Sequence, residues 1–345
     1  MIEFKFMLIA RILAGLLCIS TGEFLADEEV SSYHSYKSII KLLKDAEEQY
    51  PNIVDVHILK DTDGKSLATA EGRKLYVIKI GAPANKSKPA MWIDAGTHAR
   101  EWISISTAVC FINKLLSGYG KDRRVTKTID KMDWYIMPVV NPDGYEFTRE
   151  ALGSRYWRKT RRPSANPDPD CYGIDLNRNF DYAWGESNTE STHNPCSEFY
   201  GGTGPFSEPE TRGIKTFLES KKNQVKGFIS LHAFGQQWLV PYSDGVSKKP
   251  RDVKALLRVA KRGAKFVESV HGRKYSVGFS ADILYPTTGT SYDWAKAKLG
   301  AKYSYLIELP PDRGLQNMIS NIGNVLHAIA VDRLYTLVIA HWVYL

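Results

Sequence analysis

The sequence predicts a single α/β domain in which helices cover a central β-sheet on both faces. Its 345 residues, 43% of them hydrophobic and 24% charged, suit one large folded unit with a buried core. Continuous apolar runs, typical of strands buried on both faces, alternate with segments of helical periodicity. The predicted strands are residues 75–80, 90–95, 134–140, 227–231 and 303–307, and the predicted helices are residues 39–46, 103–116, 211–220 and 253–270.

The basic charge of the chain has a structural explanation. A formal net charge of +8 favours acidic partners in general, but the basic residues are scattered. The densest basic stretch, residues 251–274, has apolar residues at helical spacing with Lys and Arg between them, which is typical of the solvated face of an amphipathic helix. No nucleic-acid motif accompanies it, so we expect no nucleic-acid partner.

The first residues resemble a secretory signal peptide. An apolar run over residues 6–19 follows a basic residue and precedes small residues suited to cleavage. We therefore expect residues 1–22 to be a signal peptide and the mature protein to be secreted. Arg11 splits the run, which is also short for a bilayer, so we expect no membrane anchor.

The cysteines fit an oxidising compartment. Cys171 and Cys196 flank a loop-like stretch rich in Asn, Pro, Gly and Ser, and there they would form a loop-closing disulfide. Cys18 leaves with the signal peptide. Cys110 lies in an apolar run, which predicts a buried structural thiol. Asn85 begins a glycosylation sequon, a tripeptide that supports secretion only mildly because it is common by chance.

Polar residues able to do chemistry follow several predicted strands. His98 follows the second strand, Asn141 the third, His232 the fourth and Glu308 the fifth. In open α/β sheets, binding sites form beyond the carboxyl ends of the strands. We therefore expect these side chains on one rim of one sheet.

His98, Glu101 and His232 form a candidate zinc site. A hydrolytic zinc takes three protein ligands and leaves a position open for water, and two imidazoles with one carboxylate suit this metal. The pair His-x-x-Glu alone is a weak signal, and a single His at a strand end is more often a hydrogen-bonded structural residue. The prediction therefore depends on convergence of the three, with Asp175 placed to orient a ligand histidine.

Glu308 and two arginines are candidates for the remaining chemistry. Glu308 suits a general base that takes a proton from the attacking water, although a capping or salt-bridged Glu is the simpler alternative. Arg158 suits stabilisation of the oxyanion of a tetrahedral intermediate. Arg178 suits a carboxylate, which its planar guanidinium binds through two hydrogen bonds. Taken in isolation, each Arg is more often a surface residue.

Six motifs occur in a fixed order along the chain. They are His98-Ala99-Arg100-Glu101-Trp102, Asn141-Pro142-Asp143-Gly144-Tyr145, Trp157-Arg158-Lys159-Thr160-Arg161, Asp175-Leu176-Asn177-Arg178-Asn179, Leu231-His232 and residues 303–309. In this order and spacing they resemble the zinc metallocarboxypeptidases of the pancreatic carboxypeptidase A/B type, over about residues 33–314. The resemblance implies a mixed, mostly parallel, twisted sheet and an exopeptidase that releases the C-terminal residue of peptides.

The resemblance also implies the roles of the matching residues. His98, Glu101 and His232 resemble the ligands of one Zn²⁺ per chain, Glu308 the base, and Arg158 the residue that stabilises the oxyanion. A further set matches substrate-binding positions: Asn177 and Arg178 for the terminal carboxylate, Tyr285 for the mobile tyrosine that closes over the substrate, and Arg100 and Arg155 for accessory contacts. We expect a monomer.

Tyr292 bears on specificity, because members specific for basic residues carry an Asp at the matching position. Without that charge, a Lys or Arg side chain would be buried unpaired, which is costly. We therefore expect an A-type preference for apolar or aromatic C-terminal residues. The other positions that align with this pocket are Leu239, Ser243, Ser280, Thr287, Thr290 and Leu306.

Three features depart from the family pattern. Digestive members carry a globular inhibitory pro-segment, whereas here only residues 23–32 separate the signal-like segment from the catalytic domain expected over residues 33–345. Phe234 replaces a Tyr common two residues after the last zinc ligand. Residues 315–345 lack the usual closing pattern and end in an unusually apolar stretch, which we interpret as a terminal helix packed on the sheet.

Two alternatives to an active exopeptidase remain at this point. A non-catalytic relative would bind peptide C-termini, but the intact ligands, Glu308 and Arg158 favour the enzyme. An unrelated basic binding protein would leave the ordered motifs unexplained. A serine hydrolase is disfavoured, because no Gly-x-Ser-x-Gly motif is present.

Overall fold

The computed structural model describes residues 33–150, 154–163, 171–186, 192–247 and 249–311, and those up to Leu309 belong to one compact unit. The predicted signal peptide, the segment 23–32 and the atypical end after residue 314 lie outside the described residues. The strands are β1 (Val54–Ile58), β2 (Tyr76–Ile80), β3 (Ala90–Ala95), β4 (Asp133–Met137), β5 (Val225–Ala233), β6 (Gln237–Val240), β7 (Ser276–Phe279) and β8 (Tyr303–Leu309).

The helices alternate with the strands along much of the chain. They are α1 (Tyr36–Gln49), α2 (Trp102–Gly118), α3 (Arg123–Lys131), α4 (Pro142–Glu150), α5 (Pro209–Ser220), α6 (Val253–His271), α7 (Ser280–Ile283) and α8 (Ser291–Trp294). A 3₁₀ turn covers Leu176–Arg178, and a π-helical turn covers Ala295–Leu299. Helix α6 ends at Gly272, whose φ of 67° places it in the left-handed region that glycine adopts without strain.

The eight strands form one mixed sheet in the order β1-β2-β4-β3-β5-β8-β6-β7. The pairs β3–β4, β3–β5, β5–β8 and β6–β7 are parallel, whereas β1–β2, β2–β4 and β6–β8 are antiparallel. The predicted fold class, a mixed and mostly parallel sheet, is therefore confirmed. Because β4, β3, β5 and β8 run in one direction, their carboxyl ends lie along one rim.

Strand β3 shows why the central strands are continuously apolar. Its residues are all buried, and alternate side chains enter different cores because successive residues of a strand point to opposite faces. Met91 and Ile93 join the core that contains apolar residues of α1, α2 and α6. Ala90 and Trp92 join the core that contains residues of α5 and α8. Helices on both faces, as predicted, thus bury the sheet from both sides.

The cysteines confirm one prediction and correct another. Cys171 and Cys196 form the predicted disulfide. Cys110 is buried in α2, as expected, but it is disulfide-bonded, so the prediction of a thiol at this position is wrong. No cysteine in the described part of the chain is free. The apolar run around Cys110 indicated burial correctly but carried no information about a bonding partner.

Membrane-spanning helices were sought in the described residues. None of the helices found there combines the length and the hydropathy that crossing a bilayer requires.

Candidate active site

The candidate zinc ligands converge at the carboxyl ends of two neighbouring parallel strands. His98 lies three residues beyond the end of β3, Glu101 precedes the first residue of α2, and His232 is the penultimate residue of β5. All three side chains are buried. The single turn between β3 and α2 explains the short spacing of the first two ligands, and the pairing of β3 with β5 brings in the third.

The three donor groups fit a zinc ion. Nδ1 of His98 lies 2.6 Å from Oε1 of Glu101, and Nδ1 of His232 lies 3.0 Å from Oε2 of the same carboxylate. The two Nδ1 atoms are 3.1 Å apart, and one donor atom from each residue lies within 4.8 Å of the others. Two imidazole nitrogens and a carboxylate facing one buried point are the set that zinc prefers in hydrolases. His98, Glu101 and His232 are the residues that hold the zinc.

In the metal-free protein the electrostatics of the cluster favour the ligand form of His98 and Glu101 but not of His232. Burial, and then the charge of Arg158, lower the pKa of His98, which favours the neutral imidazole. Burial acts to raise the pKa of Glu101, but the two histidines lower it far more, so this carboxyl is ionised. For His232, burial lowers the pKa and Glu101 raises it, with a net increase in the metal-free protein.

Asp175 lies behind the cluster and joins it to the arginines. Its Oδ1 lies 3.2 Å from Nε2 of His98, the contact predicted for an orienting acceptor. Its Oδ2 accepts hydrogen bonds from Nε and Nη2 of Arg158, at 3.1 and 2.8 Å. Burial acts to raise the pKa of Asp175, but Arg158, His98 and Arg178 hold it well below its usual value.

Asn177 and Arg178 lie on the 3₁₀ turn that Asp175 caps. Asp175 Oδ1 accepts from the backbone N–H of Asn177, and Asn177 Oδ1 accepts from the backbone N–H of Ser291. Arg178 donates through Nη1 to the carbonyl of Asn177 and lies 3.9 Å from Asp175. Both side chains are buried. These contacts fix a guanidinium and an amide beside the zinc cluster.

Glu308 lies on β8 directly beside His232, its register partner on β5. The side chain is partly exposed at the rim. Burial, followed by the negative charge of Glu101, raises the pKa of Glu308 to about 8, while His232 and Arg158 act in the opposite direction. A carboxylate with a raised pKa at a zinc site is suited to exchange a proton with a reacting group.

The other three residues predicted to contact substrate each pack against a different side chain of the protein. Tyr285 contacts Phe199, with ring centroids 6.5 Å apart. Arg100 donates through Nη1 to Glu198 at 2.9 Å, and Arg155 stacks on the ring of Trp102, with its guanidinium carbon 3.9 Å from the centroid. Both accessory arginines are therefore anchored to other parts of the protein.

Six of the seven positions predicted for the specificity pocket are buried, and Thr287 is half-buried. Tyr292 is 1% exposed, and its hydroxyl has no hydrogen-bond partner among the described residues that meets ordinary geometry. Burial, followed by the charge of Asp293, raises the pKa of Tyr292 well above its usual value. Asp293 itself accepts hydrogen bonds from Ser243, and burial raises its pKa to about 7. Phe234, where the family commonly has Tyr, is 55% exposed.

Phe199 is a residue of the site that the sequence did not predict. Its ring lies 5.3 Å from the guanidinium carbon of Arg158 and 5.6 Å from that of Arg178. The ring thus supports both guanidinium groups from one side, a cation–π arrangement. Phe199 follows Cys196 in a loop without periodicity, and only the nearby disulfide signalled that this loop is held in place.

Comparisons with known proteins agree with this geometry. A family model described as zinc carboxypeptidase matches residues 39–327. Carboxypeptidase O of Bos taurus is 37% identical over 292 residues, which cover 84% of this chain and 74% of that protein. Carboxypeptidase B of Homo sapiens is 39% identical over 241 residues, which cover 70% of this chain and 56% of that protein.

A solved structure gives the same result in three dimensions. The crystal structure of the carboxypeptidase A from Helicoverpa armigera matches with a TM-score of 0.73 at 29% identity, covering 90% of this chain and 72% of that one. Carboxypeptidase A4 of Mus musculus is 38% identical over 283 residues, close to the values for the relatives named O and B, so similarity alone does not choose a pocket type. The chain belongs to the zinc carboxypeptidase family, and it is a metallocarboxypeptidase that acts on peptide C-termini.

Proposed function

We propose that this enzyme releases uncharged C-terminal residues, apolar or aromatic, from peptides and proteins. The observation that carries the hydrolytic function is the buried cluster of His98, Glu101 and His232 with Glu308 beside it on the next strand. Zinc held by this cluster supplies Lewis acidity, polarising the scissile carbonyl and making water a better nucleophile. Side chains of the protein are proposed to transfer the proton, stabilise the oxyanion and bind the substrate.

Glu308 is the proposed general base and acid. It takes a proton from the attacking water and passes that proton to the nitrogen of the leaving amino acid. Burial and the charge of Glu101 raise its pKa in the metal-free protein, which makes the carboxylate a stronger proton acceptor. Its position beside His232 places it next to the ligand cluster.

Arg158 is the proposed stabiliser of the oxyanion that forms on the scissile carbonyl. Asp175 engages its Nε and Nη2, so the guanidinium is held in one orientation, and its Nη1 donates to no described residue. A donor fixed before the reaction stabilises developing negative charge without reorganising during it. Phe199 supports this placement from the side.

Asn177 and Arg178 are the proposed binders of the substrate's terminal carboxylate, and Tyr285 is proposed to close over the bound peptide. A buried Arg that lacks its carboxylate loses a charge-assisted hydrogen bond and keeps its desolvation cost. This accounts for action at C-termini only. Arg100 and Arg155, which Glu198 and Trp102 hold in place, are proposed to make accessory contacts with the substrate.

Tyr292 supports the proposed preference for uncharged residues. Its raised pKa keeps the hydroxyl neutral, so this position offers no charge to a C-terminal Lys or Arg. We also propose that residues 1–22 direct secretion, that residues 33–345 form the catalytic domain after a short segment 23–32, and that the enzyme is an extracellular monomer. The disulfide Cys171–Cys196 supports an oxidising compartment.

Two matched peptides that differ only in their last residue test the specificity. Purified enzyme should release C-terminal Phe or Leu faster than C-terminal Arg, measured by mass spectrometry of the shortened product. Faster release of Arg would overturn the proposed preference. If the zinc-loaded protein binds such peptides but shortens none of them, the alternative of a non-catalytic binder of C-termini replaces the enzyme.

A further inference from the structure

His232 has a second hydrogen-bonding nitrogen that the zinc site does not use. Its Nδ1 faces Glu101 and His98, whereas its Nε2 points away from them and lies 3.1 Å from Oγ of Ser230. Residues 230 and 232 are two apart on β5, so their side chains share one face of the strand. Both residues are completely buried.

Ser230 in turn contacts an acid on the neighbouring strand. Its hydroxyl donates to Oδ1 of Asp94 at 2.6 Å, and Asp94 is its register partner on β3. The other oxygen of that carboxyl accepts from Nε1 of Trp92, also at 2.6 Å. The four side chains, on two adjacent parallel strands, are at most 2% exposed, so bulk water does not compete for these bonds.

The chemistry of the groups fixes the direction of each hydrogen bond. The Trp92 indole can only donate, and an ionised Asp94 can only accept. The single hydroxyl proton of Ser230 is given to Asp94, so the oxygen of Ser230 is left to accept from His232. The proton of a neutral His232 ring therefore lies on Nε2, and the lone pair of Nδ1 faces the zinc position.

We propose that Ser230 and Asp94 are positioning residues that hold His232 in the tautomer and ring orientation needed to bind zinc. They act on His232 as Asp175 acts on His98 through its own Nε2. Each zinc-binding histidine then has a fixed acceptor behind it, and such partners affect metal affinity by about 10- to 100-fold. The proposal depends on the zinc site but not on the preferred C-terminal residue.

A purely structural role is the competing explanation, since buried polar groups need partners wherever they lie. The two explanations predict different results. A structural serine would lower the melting temperature when removed, without a specific effect on zinc. A positioning serine would weaken zinc binding even in protein that remains folded.

The test compares Ser230→Ala with Ser304→Ala. Ser304 is a matched control, because it is also completely buried on an adjacent strand, β8, where its hydroxyl donates to the carbonyl of Tyr292. The zinc dissociation constant would be measured by competition with a chelator of known affinity. We expect Ser230→Ala to weaken zinc binding by about 10-fold or more and Ser304→Ala to leave it unchanged.

Asp94→Asn provides a second variant, which decides the question if Ser230→Ala does not fold. Its amide has nearly the same volume as the carboxyl but only one acceptor oxygen for two donors, so zinc binding should weaken in the same direction. Nitrogen NMR of the histidine rings in the zinc-loaded protein should show His232 with its proton on Nε2, and that proton should exchange with water faster in the variants than in the wild type. Wild-type zinc affinity in the folded variants would overturn the proposal.

Discussion

Asp175 contacts both halves of the site through its two carboxylate oxygens. One oxygen faces the ring of His98, and the other accepts two hydrogen bonds from Arg158. Metal binding and oxyanion stabilisation therefore depend on one buried side chain. Arg178, 3.9 Å away, adds a second positive charge on the same carboxylate.

Asp175→Asn should impair both functions at once. An amide presents one oxygen in place of two and carries no charge to balance the arginines, so we expect zinc affinity to fall by about 10-fold or more and kcat by about 100-fold at saturating zinc. Chelator competition and steady-state kinetics measure the two effects. Asp181→Asn, at an exposed acid 3.9 Å from Lys298, is the control and should change neither quantity. Unchanged kcat in Asp175→Asn would contradict the proposed role of Arg158.

Tyr292→Asp should move the specificity toward basic residues. The new carboxylate would offer a buried C-terminal Lys or Arg the partner that Tyr292 lacks, and we expect the ratio of kcat/KM for Arg over Phe to rise at least about tenfold. Tyr292→Phe is the control, because it keeps the ring and adds no charge. A preference for Phe that persists in Tyr292→Asp would show that Tyr292 does not face the C-terminal side chain.

At the scale of elements, β3, β5 and β8 determine the site, and the sequence predicted all three strands. Their continuous apolar runs reflect burial on both faces, which residue composition reveals directly. The ligands at their carboxyl ends were predicted for the same reason. Strands β1, β6 and β7 were not predicted, because their four or five residues do not form a continuous apolar run that distinguishes them from loops.

Two other features were missed for different reasons. Helix α3 buries only Thr128 and Ile129, so its apolar pattern is slight. The contact of Ser230 with Asp94 exists only because β3 and β5 pair in one particular register. No spacing within the sequence indicates which residue of one strand will face which residue of another, so the positioning residues had to come from the structure.

Helix α5 carries a buried acid that should make stability depend on pH. Glu210, in its first turn, is 2% exposed, and its Oε2 has no hydrogen-bond partner in the described part of the chain. Burial, with the nearby Glu208 and Asp143, raises its pKa to about 8 from a usual value of 4.5. The folded protein therefore resists ionisation of Glu210, and stability falls as pH rises from about 4.5 to 8.

Glu210→Gln should remove this penalty. At pH 8 the variant should be more stable than the wild type by up to about 3 kcal/mol, or several degrees in melting temperature, and the difference should vanish near pH 4. Thermal unfolding monitored by circular dichroism across this pH range checks the sign. Glu219→Gln, a change at the exposed end of the same helix, is the control. A variant less stable than the wild type at pH 8 would show that Glu210 is ionised and stabilising.

At the scale of the whole molecule, the two ends of the parallel strands differ in what they carry. The zinc ligands lie at the carboxyl ends of β3 and β5, whereas the loop of residues 81–89 leads into the amino end of β3. Asn85 of the sequon is exposed in that loop. A glycan there would project from the amino ends of the parallel strands, opposite the zinc ligands, and would not block peptides from reaching the site.

Asn85 should therefore be glycosylated when the chain is made in a eukaryotic secretory pathway. Treatment with an endoglycosidase should reduce the apparent mass of the secreted protein, and Asn85→Gln should abolish the change without altering kcat/KM. Asn223→Gln, at an asparagine outside any sequon, serves as the control. Secreted protein without a glycan on Asn85 would contradict this prediction, and retention of the protein inside the cell would contradict the proposed localisation.

The central claim is that the cluster of His98, Glu101 and His232 holds a zinc ion required for hydrolysis next to Glu308. The most direct test is the rate of C-terminal Phe release before chelation, after removal of zinc, and after its return. We predict that activity is lost on removal and restored by about one equivalent of zinc per chain, and that Glu308→Gln binds zinc normally yet stays inactive. Activity that survives complete removal of the metal would contradict the account.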